Sequence, residues 1–312
     1  MRSFLFVPAD SPRKIEKSRS AEADALILDL EDAVAMPRKE AARALAREAL
    51  QAARGRQQVY VRVNAFDTGL LPQDLGAVMA GRPDGLVLPK CASGDEVRRL
   101  AHMLDGAEAA LGLPPGATRI VAVATETPQA VLSMASYAGC SPRLWGLMWG
   151  GEDLAGALGA SANREAGAYR SPFRLARDLC LLGAAAAGVQ AIDAVFTDVG
   201  DVEGLAQEAR QARIDGFGAK AAIHPAQCAP IHAAFAPTAA ELTWARAVLD
   251  ALAAQDAGAG VVLLDGQMVD RPHAVQARRI LARGGVGQGG QAPGGPGDSG
   301  APAAPGAPGW AG

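Results

Sequence analysis

Asp29, Glu31 and Asp32 follow directly on the apolar run Ala25-Leu26-Ile27-Leu28. A short run that is apolar on both faces suits a parallel strand covered by helices, and such a strand cannot carry unpaired charge in its middle. The carboxylates must therefore emerge where the strand leaves the core. The same design recurs along the chain. Arg62 and Asn64 end the run 59–64, Lys90 ends 85–90, Glu126 ends 119–126, Asp153 follows 144–149, and Lys220 and His224 fall within 216–225. Carboxylates dominate this set. No serine or cysteine sits in a nucleophile elbow, and no His-x-x-x-His or Cys/His cluster suggests zinc. Carboxylates on adjacent strands suit a hard cation with oxygen ligands, and Mg²⁺ commonly takes only one or two from the protein. Glu126 and Asp153, on neighbouring strands, are the expected ligand pair, although Asp153 in Gly-Glu-Asp-Leu also fits a helix cap. Asp29 and Glu31 are expected to orient metal waters or Arg62.

Two cations at the exits leave alternatives open. Arg62 facing a ring of acids is either a fork for an anionic substrate group or an internal counter-ion to Glu31 or Asp32. Lys90 at a strand end has the position of a Schiff-base nucleophile, which makes a class I aldolase the rival chemistry. The metal pair argues against that need, because a divalent ion can itself stabilise an enolate. Arg13, Lys14, Lys17 and Arg19 cluster on one short helix just after the first strand. They form either a solvated face or a phosphate-binding patch.

The elements that must position these residues alternate in period. Apolar strands are expected at 3–9, 25–32, 59–64, 85–90, 119–126, 144–149, 191–197 and 216–225, each followed by a helical segment. Eight strand–helix units within about 235 residues is the arithmetic of a closed (β/α)8 TIM barrel. An open doubly wound sheet would normally show a glycine-rich loop after the first strand, and Pro8-Ala9-Asp10-Ser11 is not one. The barrel is expected over residues 1–237. Residues 238–283 read as a helix, a hairpin around Asp265-Gly266 and a second helix begun by Arg271-Pro272. Residues 284–312 hold almost no large apolar side chain and read as a disordered tail.

Composition narrows the function classes. The chain has 312 residues, is 49% hydrophobic and carries a net charge of −3. There is no basic field for nucleic acid, no apolar run approaching a membrane span and no signal-peptide pattern. The four scattered cysteines read as reduced core thiols of a cytoplasmic protein.

Taken together, several short motifs form a pattern. Arg2-Ser3-Phe4-Leu5-Phe6-Val7-Pro8, Leu28-Asp29-Leu30-Glu31-Asp32-Ala33-Val34, Val61-Arg62-Val63-Asn64, Glu126-Thr127-Pro128, Gly151-Glu152-Asp153-Leu154, Tyr169-Arg170-Ser171-Pro172 and Ile223-His224-Pro225-Ala226-Gln227 occur in this order. The chain resembles the citrate lyase β-subunit-like (CitE-like) CoA ester lyases of the HpcH/HpaI aldolase superfamily, a group that includes malyl-CoA and citramalyl-CoA lyases. The resemblance runs from residue 2 to about 283. It departs at Ala219, where the family usually has a glycine in Gly-Phe-x-Gly-Lys beside the CoA.

The resemblance implies a Mg²⁺-dependent (Mn²⁺ serving also) barrel enzyme that cleaves a 3-hydroxyacyl-CoA thioester to acetyl-CoA and a 2-oxo acid. It places metal ligation on Glu126 and Asp153, substrate binding on Arg62, and an acidic outer ring on Asp29, Glu31 and Asp32. Contacts to CoA or substrate are expected from Arg13, Lys14, Arg19, Asn64, Lys90, Lys220, Ile223, His224 and Pro225. Met268-Val269-Asp270-Arg271-Pro272-His273 resembles the family's C-terminal lid. There Asp270 is either a catalytic base acting in trans within a homo-trimer or homo-hexamer, or merely the N-cap of the helix after it. The alternatives are a metal aldolase for free hydroxy-oxo acids, the β subunit of a citrate lyase complex with its acyl group on a carrier protein, and a non-catalytic barrel subunit.

Overall fold

The computed structural model describes residues 1–52, 55–254 and 261–285. It forms two compact units, Met1–Phe235 and a second that begins at Ala236.

The first unit is a closed barrel of eight parallel strands. They are β1 (Ser3–Pro8), β2 (Ala25–Asp29), β3 (Gln58–Arg62), β4 (Gly85–Leu88), β5 (Arg119–Val123), β6 (Leu144–Met148), β7 (Gln190–Asp193) and β8 (Ala219–Ala222). Each strand pairs with the next, and β8 closes on β1 through Ser3 opposite Lys220 and Phe4 opposite Ala221. A period of two sorts the side chains. Phe4, Ile27, Tyr60, Val87, Val121, Met148, Ile192, Ala219 and Ala221 fill the barrel's interior. Leu5, Val7, Leu26, Leu28, Val61, Leu86, Leu88 and Leu147 lie in the larger cluster shared with the surrounding helices. Gly85 is glycine because the Tyr60 ring takes the space of a side chain: an added Cβ would lie 2.4 Å from Tyr60 Cε1.

The strands end sooner than expected, most of all β2 at Asp29, β5 at Val123, β7 at Asp193 and β8 at Ala222. Past β5 the amide of Ala124 still donates to Met148 O at 2.9 Å, and Glu126 lies beyond the end of the strand and not in it. Local chemistry sets the next helices. Thr127 Oγ1 accepts from Ala130 N at 3.1 Å before helix Pro128–Leu132, and Ser11 Oγ accepts from Lys14 N at 3.4 Å before helix Pro12–Arg19.

The second unit holds helix Ala239–Ala253, the antiparallel pair Val261–Leu264 and Gln267–Asp270, and helix Arg271–Arg283. Asp265 and Gly266 both have positive φ, 50° and 78°, as a two-residue type I′ hairpin requires. Ala245, Val248, Val269 and Ala277 make its small core. The tail expected over 284–312 lies, past Gly285, outside the described residues. All four cysteines are buried and free, and among the described residues no helix is long and apolar enough to cross a membrane.

Candidate active site

Asp29 and Arg62 are register partners at the ends of β2 and β3. Both continue the inward parity of Ile27 and Tyr60, so their side chains meet over the barrel mouth. Arg62 donates Nε to Asp29 Oδ1 at 2.7 Å and Nη2 to Oδ2 at 2.6 Å. Asp29 also accepts from the amides of Glu31, at 2.9 Å, and Ala33, at 3.2 Å, which turns the chain after the strand. The third guanidinium nitrogen, Nη1, lies 3.0 Å from Glu31 Oε2, and the Phe6 ring lies 4.9 Å from Arg62 Cζ. Burial alone would pull this guanidinium's pKa down. The carboxylates of Asp29, Glu31 and Glu126 outweigh burial and hold it above its ordinary value.

Lys90, just past β4, has a left-handed backbone with φ 49°. Its amide donates to Glu126 Oε2. Its ammonium bonds Glu31 Oε1, lies 3.0 Å from Asp32 Oδ2 and reaches to 3.3 Å from Asp153 Oδ1. Burial lowers the Lys90 pKa, but Glu31, Asp32 and Glu126 raise it further, so the group is a firm cation. A Schiff-base lysine needs the opposite shift, toward a free amine. The same ion pairs hold Asp32 below its usual range against the effect of burial, whereas burial dominates at Glu31 and raises it.

Glu126 is buried, and its carboxyl is pushed up to about 8 by burial first and by the charge of Asp153 second. Asp153 sits in the first turn of helix Glu152–Leu158 and is not at a strand end. The N-cap position is held by Gly151, so Asp153, the second residue of the helix, is not its cap. Gly150 is pinned beneath the pair. Thr125 Oγ1 donates to its carbonyl at 3.1 Å, and its amide donates back at 2.9 Å. A Cβ at Gly150 would come within 3.2 Å of Glu126 Cγ. Among the described residues no three His, Cys, Asp or Glu side chains form a complete protein cage for a metal. Two facing carboxylates, one of them desolvated, are still a donor set that a hard divalent cation takes with water or substrate oxygens completing its shell.

Asp29, Arg62, Glu126 and Asp153 share one cavity of about 730 Å³. Its wall also carries Arg13, Lys14 and Lys17 from helix Pro12–Arg19, the loop Ile223, His224 and Pro225, and an apolar side made by Phe6, Val123, Met148, Trp149 and Tyr169. His224 is half-fixed, with Nδ1 accepting from Ala226 N at 3.2 Å.

Four residues expected to touch CoA or substrate lie elsewhere. Lys220 points outward from β8, opposite in parity to Ala219 and Ala221. It is fully buried among Asp193 Oδ2 at 2.7 Å, Ala194 O at 2.7 Å and Glu208 Oε1 at 2.8 Å. Asn64 is buried and spent on Asp74, which takes its Nδ2 at 2.7 Å, and on Lys39, whose Nζ donates to its Oδ1 at 2.7 Å. Lys90 stands behind the carboxylate pair and is not on the cavity wall. Arg19 faces a separate shallow cleft with Glu16, 3.5 Å away. Lys17, from the same basic helix, is on the wall, and the wall gains Trp149 and Tyr169, whose rings meet edge-on with centroids 4.7 Å apart. Lys39 was also not foreseen. Its buried ammonium donates to the carbonyls of Leu30, at 2.6 Å, and Glu31, at 2.7 Å, and so fixes the acidic loop from behind. In the second unit Asp270 begins helix Arg271–Arg283, with Oδ1 2.6 Å from His273 Nδ1.

Comparison with known proteins gives the family. The family described as HpcH/HpaI aldolase/citrate lyase matches residues 2–225. The citrate lyase subunit beta-like protein of Mycobacterium tuberculosis is 38% identical over 283 residues, covering 90% of this chain and 95% of its own. A (3S)-malyl-CoA thioesterase of Cereibacter sphaeroides is 38% identical over 288 residues, covering 90% and 94%. The crystal structure of CitE from Mycobacterium tuberculosis in complex with magnesium, acetoacetate and coenzyme A superposes with a TM-score of 0.76 at 38% identity, covering 91% of this chain and 98% of that one. The chain belongs to the HpcH/HpaI aldolase/citrate lyase family, a family of carbon–carbon lyases.

Proposed function

We propose that the chain is a Mg²⁺-dependent CoA ester lyase. It splits a 3-hydroxyacyl-CoA such as malyl-, citramalyl- or citryl-CoA into acetyl-CoA and a 2-oxo acid, or runs the condensation. One observation carries this reading. A single cavity joins the carboxylate pair Glu126 and Asp153, the fixed guanidinium of Arg62 and the three cations of helix Pro12–Arg19. A metal aldolase for free hydroxy-oxo acids needs the first two of these features but not the third, which suits the phosphates of CoA. The related CitE structure that holds magnesium and coenzyme A supports the same choice.

Glu126 and Asp153 would hold the ion. Their chemistry fits it: a buried carboxyl pushed up to about 8 partly by a facing carboxylate is relieved when a dication arrives. When bound, Mg²⁺ (or Mn²⁺) supplies Lewis acidity toward the carboxylate and hydroxyl oxygens of the acyl group. Arg62 carries a permanent charge on the cavity wall, held in place by Asp29 and Glu31, where it would stabilise developing negative charge. A preorganised donor of this kind is typically worth about 3–4 kcal/mol of barrier. A base takes the hydroxyl proton, the C–C electron pair moves to the carbon beside the thioester carbonyl, and the 2-oxo acid departs. That carbon is then protonated to give acetyl-CoA. The base is assigned to Asp270 of a neighbouring subunit in a homo-trimer or homo-hexamer. Of the acids at the barrel mouth, Asp29 is committed to Arg62, Glu31 to Arg62 and Lys90, Asp32 to Lys90, and Glu126 with Asp153 to the ion, while Glu152 on the cavity wall accepts from Asn163 Nδ2 at 2.8 Å.

The test is to assay the purified protein with Mg²⁺ against malyl-, citramalyl- and citryl-CoA and the corresponding free acids, following 2-oxo acid and free thiol separately. Release of 2-oxo acid without free thiol from at least one thioester, and none from the free acids, is the expected result. Free thiol without 2-oxo acid would make the chain a thioesterase, and equal cleavage of the free acids would remove CoA from the reading.

A further inference from the structure

We propose that Lys90 is the site's built-in stand-in for the cation: its ammonium neutralises Asp153 when no metal is bound and gives that carboxylate up when Mg²⁺ enters. The inference rests on the reading that Glu126 and Asp153 hold the ion.

One residue touches both carboxylates, by different groups. The Lys90 amide holds Glu126 Oε2, while its Nζ lies 3.3 Å from Asp153 Oδ1. The left-handed backbone, φ 49°, lets the amide and the side chain converge on the same pair. A lysine pays for that conformation where glycine would not, so the strain points to a task for its side chain.

The ammonium is also the mobile charge of the cluster. Arg62 is locked by the fork to Asp29, whereas Lys90 Nζ sits on a flexible stem, 28% exposed, with a second berth on Glu31 and on Asp32 at 3.0 Å. A dication at Asp153 repels Nζ, which keeps Glu31 and Asp32 and loses only its longest contact. Metal binding is therefore an exchange of one positive charge for two. The amide stays on Glu126 throughout, so Lys90 acts as a positioning residue for one ligand and a competitor at the other.

Calorimetric titration of metal-stripped, full-length protein with Mg²⁺ tests this, comparing wild type with Lys90→Met. Methionine is unbranched like lysine and keeps the amide, so the backbone is asked for nothing new. With the competing charge gone, the Kd for Mg²⁺ should fall at least about tenfold. The metal-free melting temperature should drop, and the rise on adding Mg²⁺ should exceed that of wild type. An affinity unchanged or weakened overturns the proposal. Should the variant not fold, crystal structures of wild type with and without Mg²⁺ decide: Nζ should leave Asp153 and keep Glu31, and an Nζ still within 3.3 Å of Asp153 in the loaded protein overturns it. If wild type binds no Mg²⁺ at all, the metal reading itself fails and this inference falls with it. If wild type binds and Glu126→Gln does not, only the role of Lys90 is at stake.

Discussion

Arg62 gives Asp29 two of its three guanidinium nitrogens, at 2.7 and 2.6 Å, across the register pair that joins β2 to β3. The arginine is thus both counter-ion and cavity wall. Its fork is closed on a neighbouring strand and Nη1 lies 3.0 Å from Glu31 Oε2, so the guanidinium meets a ligand already fixed. A group held this way costs no reorganisation when charge develops beside it.

Arg62→Lys should therefore lower kcat by about 10²–10³, with folding little changed. Lysine keeps the charge but cannot satisfy both oxygens of Asp29 and still reach the cavity. Steady-state kinetics on the best thioester would show it. Turnover like wild type would reduce Arg62 to a structural counter-ion.

Glu126 predicts a pH dependence. Its carboxyl stands at about 8 because burial, then Asp153, disfavours the charged form. The folded state thus holds this proton more tightly than the unfolded chain does. The stabilisation is complete below the ordinary glutamate range and is lost as pH rises through about 8. Metal-free wild type should lose stability from pH 5 to pH 8 relative to Glu126→Gln, measured by denaturant titration at each pH. Mg²⁺ must expel the same proton, so near pH 7 roughly one proton should be released per ion bound. A binding enthalpy independent of the buffer's ionisation enthalpy would show that the carboxyl was already charged.

How far the sequence could be read follows from where each residue's partners lie. Asp29, Arg62 and Glu126 were legible because an apolar run leaves its charges only at the exit. Lys220 misled. Gly-Phe-Gly-Ala-Lys-Ala-Ala has no alternation of large and small residues to reveal that the lysine faces outward, and Asp193 and Glu208 lie far back along the chain. Asn64 misled for a similar reason, since Asp74 and Lys39 consume it from two other elements. Trp149 reads as the end of an apolar strand and Tyr169 only as part of a short motif, because only the folded cavity distinguishes a wall from a core.

Lys220 gives a contrasting prediction. Lys220→Met leaves the fully buried Asp193 short of a charge, although Arg177 Nε at 3.2 Å and Trp149 Nε1 at 2.7 Å remain on it. Breaking a buried pair from one side typically costs about 3–5 kcal/mol. Denaturant unfolding should show a loss of that order, while the KM for the acyl-CoA stays near wild type. A large rise in KM with stability unchanged would return Lys220 to the binding site.

Asp270 carries two possible roles that one substitution separates. It is the residue before helix Arg271–Arg283, with extended backbone at φ −143° and ψ −166°, and its carboxylate lies 2.6 Å from His273 Nδ1. Asparagine is as good an N-cap as aspartate, whereas alanine loses about 1 kcal/mol there. Asparagine cannot take a proton from a hydroxyl group. If Asp270 is the base, Asp270→Asn should melt like wild type and yet lose at least about 10²-fold in kcat, the scale of general base catalysis. If it only caps the helix, Asp270→Asn should turn over normally and only Asp270→Ala should be less stable. The role in trans then has its own test. Mixing inactive Asp270→Asn with inactive Glu126→Gln subunits, under conditions shown to exchange them, should restore part of the activity, since some sites would pair an intact barrel with an intact Asp270. A mixture that stays inactive despite exchange overturns the role in trans.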